Sequence, residues 1–386
     1  MSGFTDIGQD FNRIFFTDYE LFDRFVGLSL WTFGRNLYGE IGNNSTTNSI
    51  IPTKVLTEID NWKTTSCGGN QSAAIKTDGT LWTWGNGTRG VLGSNSTTNR
   101  SSPGTIAGGG TNWSIINCGV WHMSAIKTDG TLWLWGNNDV GQLGNNSKAN
   151  VSSPVTTSGG GNTWKSTECG TTIAFSSAIK TDGTLWLWGD NQHGKLGDNS
   201  TINKSSPVTT SGGGTNWKQS SCGGNHTVAI KTDGTLWTWG HGAFGQLGDN
   251  STISKLSPIT TSGGGTNWKQ VSAGYLFTAA IKTDGTLWTW GYNDKGQLGD
   301  NSVTNKSSPN TTSGGGTTWK QLTCSGAAMS GIKTDGTLWS WGDNSYGGLG
   351  DNSFVSKSSP ITTSIGGTTW KQVARSQTHT IANRNA

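Results

Sequence analysis

The chain has 386 residues; 31% carry apolar side chains and 60 are Gly, which together supply material for a core and leave no room for an extended disordered chain. Charged residues amount to 13%, and 27 Lys and Arg against 23 Asp and Glu give a net charge of +4, too balanced for the one-signed field of nonspecific nucleic-acid binding. No apolar run reaches the roughly 18 residues that span a bilayer, and no basic stretch followed by an apolar one marks a secretory signal at the N-terminus.

Residues 1–27 match nothing else in the chain. They hold Phe4, Phe11, Phe15, Phe16, Phe22 and Phe25, six of the eleven Phe, which is too apolar for a disordered linker. Such a stretch needs a surface to bury against, either the rest of its own chain or a larger assembly. The second is the preferred expectation, and it makes residues 1–27 a docking segment.

From Leu30 onward one repeat fills the chain. LWTFG at Leu30–Gly34 precedes LWTWG at Leu81 by 51 residues, and IKTDGTLW begins at Ile75, Ile126, Ile179, Ile230, Ile281 and Ile332, spaced 51, 53, 51, 51 and 51. A second marker, a Trp usually followed by Lys, falls at Trp62, Trp113, Trp164, Trp217, Trp268, Trp319 and Trp370. Each unit predicts three short strands, such as WKQVSAG, FTAAIKT and TLWTWG, with DG as the tight turn between the second and third. The Pro-containing stretch near SSPITT predicts a fourth, on an edge where a missing amide is tolerated. Four-stranded units of about 50 residues are propeller blades. The chain begins inside one unit and ends inside another, so HTIANRN near the C-terminus stands before Leu30–Gly34 as HTVAIKT stands before LWTWG. The expectation is an all-β, seven-bladed β-propeller over residues 28–386, closed by a seam blade shared between the two ends, with a short N-terminal extension. Twenty of the 21 Trp then belong to the strand framework, where burial explains them without a cofactor; Trp121 alone stands outside.

CGGNHTVAIKTDGTLWTWGHGAFGQLGDN, from Cys222 to Asn250, carries in order a strand ending in CG, an H-T-hydrophobic step, DG, LWxWG and GQLG. This order resembles the regulator of chromosome condensation repeat family over about residues 28–386. The resemblance implies the seven-bladed propeller. The family's nucleotide-exchange member uses a protruding wedge, and no unit here exceeds 53 residues. Its plant ultraviolet-B photoreceptor stacks Trp before the H-T position, where this chain has only Trp121. Other members bind proteins, the closest analogue in kind.

No catalytic constellation emerges. Cys67, Cys118, Cys169, Cys222 and Cys324 share one repeat position with Ala273 and Ala374, which marks a small buried slot without the paired spacing that zinc wants. The five His are read as sharing no common slot, with His226 and His379 alone at the H-T position. Asp78 and its five counterparts serve the DG turn, and GDNS segments lack the ligand run of a calcium loop. No metal and no cofactor are expected.

The repeats diverge in two places, before the second strand and after LWxWG, and antiparallel alternation puts both at one end of the blade. This varied face collects Tyr38, Arg89, Trp121, His122, Phe175, His193, His241, Phe244, Tyr275, Phe277, Tyr292 and Tyr346. Aromatic rings with occasional Arg are the chemistry of interface anchors. The sequence therefore predicts a non-enzymatic interaction protein with protein partners, joined to a larger assembly through residues 1–27. The specific expectation is a bacteriophage virion component, with a host-surface ligand as a candidate for the varied face. A bacterial surface or cytoplasmic partner-binding propeller is the alternative, and an exchange factor the third reading.

Overall fold

A computed structural model describes residues 27–56, 60–170, 174–313 and 315–385. Seven four-stranded antiparallel sheets surround a central axis. In the fifth blade the strands are Trp268–Ala273, Phe277–Lys282, Leu287–Gly291 and Lys306–Thr311, paired in that order from the axis outward. Blades 1 to 6 begin at Trp62, Trp113, Trp164, Trp217, Trp268 and Trp319. The seventh is the predicted seam: Trp370–Arg375 and His379–Asn385 from the C-terminus, then Leu28–Gly34 and Ser49–Lys54 from the N-terminal side. Leu28 to Gly34 run opposite Asn385 to His379 without a register break.

All seven Pro of the chain sit in the outer strands, where a residue without an N–H removes no bond from the interior of a sheet. The blades cohere through Trp. The inner-strand Trp268 meets Trp288 edge-on at 6.3 Å and Trp290 at 6.2 Å, and the buried Trp290 donates through Nε1 to the carbonyl of Gln246 in the preceding blade at 3.0 Å. Between Trp268 and Trp288 lies the Lys282 ammonium, 4.8 and 4.5 Å from the two ring centroids. The Lys of every IKTDG repeat is held in this way, and Arg384 takes the place in the seam.

The DG turn does more than reverse the chain. Asp284 Oδ1 accepts from the Thr286 amide and hydroxyl, and that hydroxyl in turn accepts from Trp288 Nε1. Near the axis, Gln270 acts as a side-chain mimic of a strand: its Nε2 donates to the Leu322 carbonyl at 3.1 Å and its Oε1 accepts from the Leu322 amide at 3.2 Å. Gln219 with Val271 and Gln321 with Val373 repeat the clamp. The five Cys are free and buried, and burial pushes their thiols up. No helix among the described residues is long and apolar enough to cross a membrane.

Candidate interaction face

The turns between first and second strands and the loops between third and outer strands emerge at one end of every blade. The DG turns and the connections to the next inner strand emerge at the other. The second end repeats the Lys–Trp–Asp arrangement almost unchanged, while the first carries the diversified residues.

Nine of the twelve predicted residues lie on this first end with exposed or half-buried side chains. Eight of them fall into three groups. Arg89 stands 5.7 Å over the Trp121 ring and pairs with Asp139 at 2.8 Å. Arg35 lies between Tyr38 and Tyr346, at 5.6 and 5.4 Å from their centroids. The third is an arc across blades 3 to 5, with His193 against His241 at 4.7 Å, His241 against Phe244 at 6.0 Å and Phe244 against Tyr292 at 4.9 Å. Tyr275 stands apart and 40% exposed.

His122, Phe175 and Phe277 are corrections: each is fully buried at the start of a second strand and offers no ring to a partner. The register also corrects the reading of the His. His122, His226 and His379 occupy one slot, opposite Gly136, Gly240 and Gly34. Each ring reaches a hydroxyl of the following blade: Ser176, Thr278 and Ser72 at 2.8, 2.8 and 2.9 Å. Burial pulls all three imidazoles down to about 3. The slot was obscured in the sequence because His122 is followed by Met rather than Thr. Phe4, Phe11, Phe15, Phe16, Phe22 and Phe25 lie outside the described residues.

Sequence reasoning missed a second layer under the rings. The residue after LWxWG faces the residue five positions on: Asp190 pairs with the buried Lys195, His241 Nδ1 with Gln246 Nε2 at 2.9 Å, and Asn137 with Gln142. At the seam this pair of positions holds Arg35 and Glu40, with the charges reversed relative to Asp190 and Lys195. Burial pushes the Glu40 carboxyl up to about 7, while its Oε2 accepts from the Tyr38 amide. The exchange of charge between two positions five apart is the signal that was available. The outer rim was missed too. Ile202, Ile253, Val303, Phe354 and Val355 are all more than half exposed on blades 3 to 6, where the polar loop composition hid them.

The profile of the regulator of chromosome condensation (RCC1) repeat matches residues 29–75, 78–126, 129–176, 182–230, 233–281, 284–327 and 335–382. The human E3 ubiquitin-protein ligase HERC2 is 30% identical over 241 residues, which is 61% of this chain and 5% of that protein. The ultraviolet-B receptor UVR8 of Arabidopsis thaliana is 30% identical over 285 residues, 72% of this chain and 64% of the receptor. This chain thus spans less than two thirds of either relative. Among solved structures, human WBSCR16 superposes with a TM-score of 0.82 at 19% identity, covering 93% of this chain and 99% of that one. Yeast RCC1 (Prp20) bound to Kap60 gives 0.80 at 16% identity, covering 93% and 89%.

Proposed function

The chain belongs to the RCC1 repeat family, and from that premise we propose that it is a non-enzymatic interaction module that binds a protein partner through the varied face. The observation that carries this reading is the contrast between the two ends of one scaffold. One end repeats a fixed Lys–Trp–Asp arrangement, while the other clusters rings and Arg on short loops held by a rigid sheet, the usual position for recognition. Among similar proteins, yeast RCC1 was solved bound to Kap60, which supports partner binding by the fold and leaves this chain's partner open.

Attachment through residues 1–27 is part of the same proposal, resting on the six Phe of that segment. Membership of a phage particle finds no support in the relatives named above, which come from human, Arabidopsis and yeast. A host-surface ligand rests on the same unsupported footing, and the proposal keeps the module without either.

The test is quantitative affinity capture with three forms of the full chain. Wild type should retain partners that the Trp121→Ala, Phe244→Ala, Tyr275→Ala, Tyr292→Ala variant loses at least tenfold, while Lys231→Ala on the uniform end retains them. Equal capture by the first two forms would remove the varied face from consideration.

A further inference from the structure

The inner strands enclose a channel of about 560 Å³ along the axis, a volume within the about 300–1,000 Å³ of ordinary small-molecule sites. Its wall follows from the repeat. The residue before the Cys position is Ser66, Asn117, Ser221 or Ser272 in four blades, and each accepts a hydrogen bond from an amide of the next inner strand: Cys118, Cys169, Ala273 and Cys324, at 3.0, 2.8, 3.0 and 2.9 Å. A small polar side chain is thus what the fold asks for at this position. Blade 3 has Glu168 instead, half-buried in the channel wall, with Oε2 accepting from Asn117 Nδ2 at 2.9 Å. A carboxyl placed where a hydroxyl serves the fold costs desolvation and returns nothing to packing.

We propose that the central channel binds a small organic cation, a primary ammonium on a compact apolar body, with Glu168 as its counter-ion. Ile115, Ile116 and Leu322 in the lining supply the apolar contact. One carboxylate among such neighbours is too poor an oxygen set for a hard metal ion. The other charged groups of the lining are Lys63, Lys127, Asp129, Lys165 and Arg375. Lys127 is spent on Trp113 and Trp133, and Arg375 donates to the carbonyls of Gly348 and Asp343 and to the Thr380 hydroxyl. Asp129 is held by Thr131 in its DG turn. The neighbouring Cys169 and Cys222 are neutral thiols.

Burial pushes Glu168 up to about 8, so an arriving ammonium displaces a proton. Affinity should therefore rise about tenfold per pH unit from 6 and level off near 8. Calorimetric titration of the full chain with benzylamine, and with benzyl alcohol as its neutral isostere, tests this. Benzylamine should bind with that slope and the alcohol at least tenfold more weakly. Glu168→Gln should lose both the slope and at least tenfold in affinity while melting no lower than wild type. Thr323→Trp, which fills the channel from blade 6 and leaves Glu168 in place, should abolish binding. Unchanged affinity in Glu168→Gln, equal binding of the alcohol, or no saturable benzylamine binding overturns the proposal. The varied-face variant should bind benzylamine normally, which separates this outcome from that of partner recognition.

Discussion

His226 shows what a repeat slot tolerates and what it charges for. Its ring is fully buried, hydrogen-bonded to Thr278, and held neutral by burial at about 3. An unfolded imidazole takes its proton near 6.5 while the native one refuses it. The slot's stability is therefore complete above pH 6.5 and is lost as pH falls toward 3, by about 2 kcal/mol per His at pH 5. Phe175 and Phe277 fill the same slot, so His226→Phe should fold, and its stability should fall less steeply between pH 7 and pH 5 than that of wild type, as followed by urea unfolding. Glu40 and Glu168, raised by burial to about 7 and 8, act in the opposite sense as pH rises above 4.5, and they cancel in this comparison. The five Cys pose the converse case. Ala273 already occupies their slot. The register corrects the second example, because in the seam the slot opposite Thr380 holds the buried Arg375 and Ala374 stands one position earlier. Near Cys169 the Ser124 hydroxyl keeps Thr167 as a partner. Replacing all five with Ala should cost about 1 kcal/mol or less at each site, read from the shift in the denaturation midpoint.

The strands were legible in the sequence because their signals are local: alternating apolar residues, DG turns, and a Trp at each end of the pattern. What escaped lies between blades. Gln270 reaches Leu322, and Trp290 reaches Gln246, across separations of 52 and 44 residues, and no window along one unit shows that two such residues meet. Within a blade, the Lys of IKTDG is wedged between two Trp, a contact not anticipated from the sequence. The Gly of GxLG has a cross-blade cause. Gly248 has φ +67°, and a Cβ there would stand 2.6 Å from Trp290 Nε1. Gly248→Ala should therefore cost about 2–4 kcal/mol, from left-handed strain together with overpacking against the indole. Trp290→Phe should cost much less than that for its volume, plus about 1 kcal/mol for the lost bond to Gln246, because Phe33 takes this role against Gly350 in the seam. Chemical denaturation of the two variants decides the order.

At the scale of the molecule, closure was readable because each end carries the strands the other lacks. The distribution of rings on the varied face was readable only in part, since whether a residue stands before a strand or inside its first pair is a matter of register. That difference separates the exposed Tyr275 from the buried Phe277 two residues later. The seam itself makes a sharp prediction. Arg384 holds the place of Lys282, and Asn383 lies opposite Leu30 as Ile281 lies opposite Leu287. Arg384 and Ser29 thus stand where every other blade has the two sides of a Thr-Asp-Gly turn. Deleting 370–386 leaves Leu28–Gly34 without its seven partners, and an open edge of that length invites association, so the truncated chain should aggregate in size-exclusion chromatography. Joining Arg384 to Ser29 through Thr-Asp-Gly, with residues 1–28, 385 and 386 removed, and opening the chain instead between the exposed Gly160 and Gly161, keeps the seam pairing from Ser29 to Gly34, gives up only the Leu28 pairs with Asn385 and Trp62, and replaces an entropically open seam by a short turn. That permuted chain should be monomeric and melt at or above the temperature of wild type. A permutant that fails to fold while the deletion stays monodisperse would mean that the blades hold their ring without the seam.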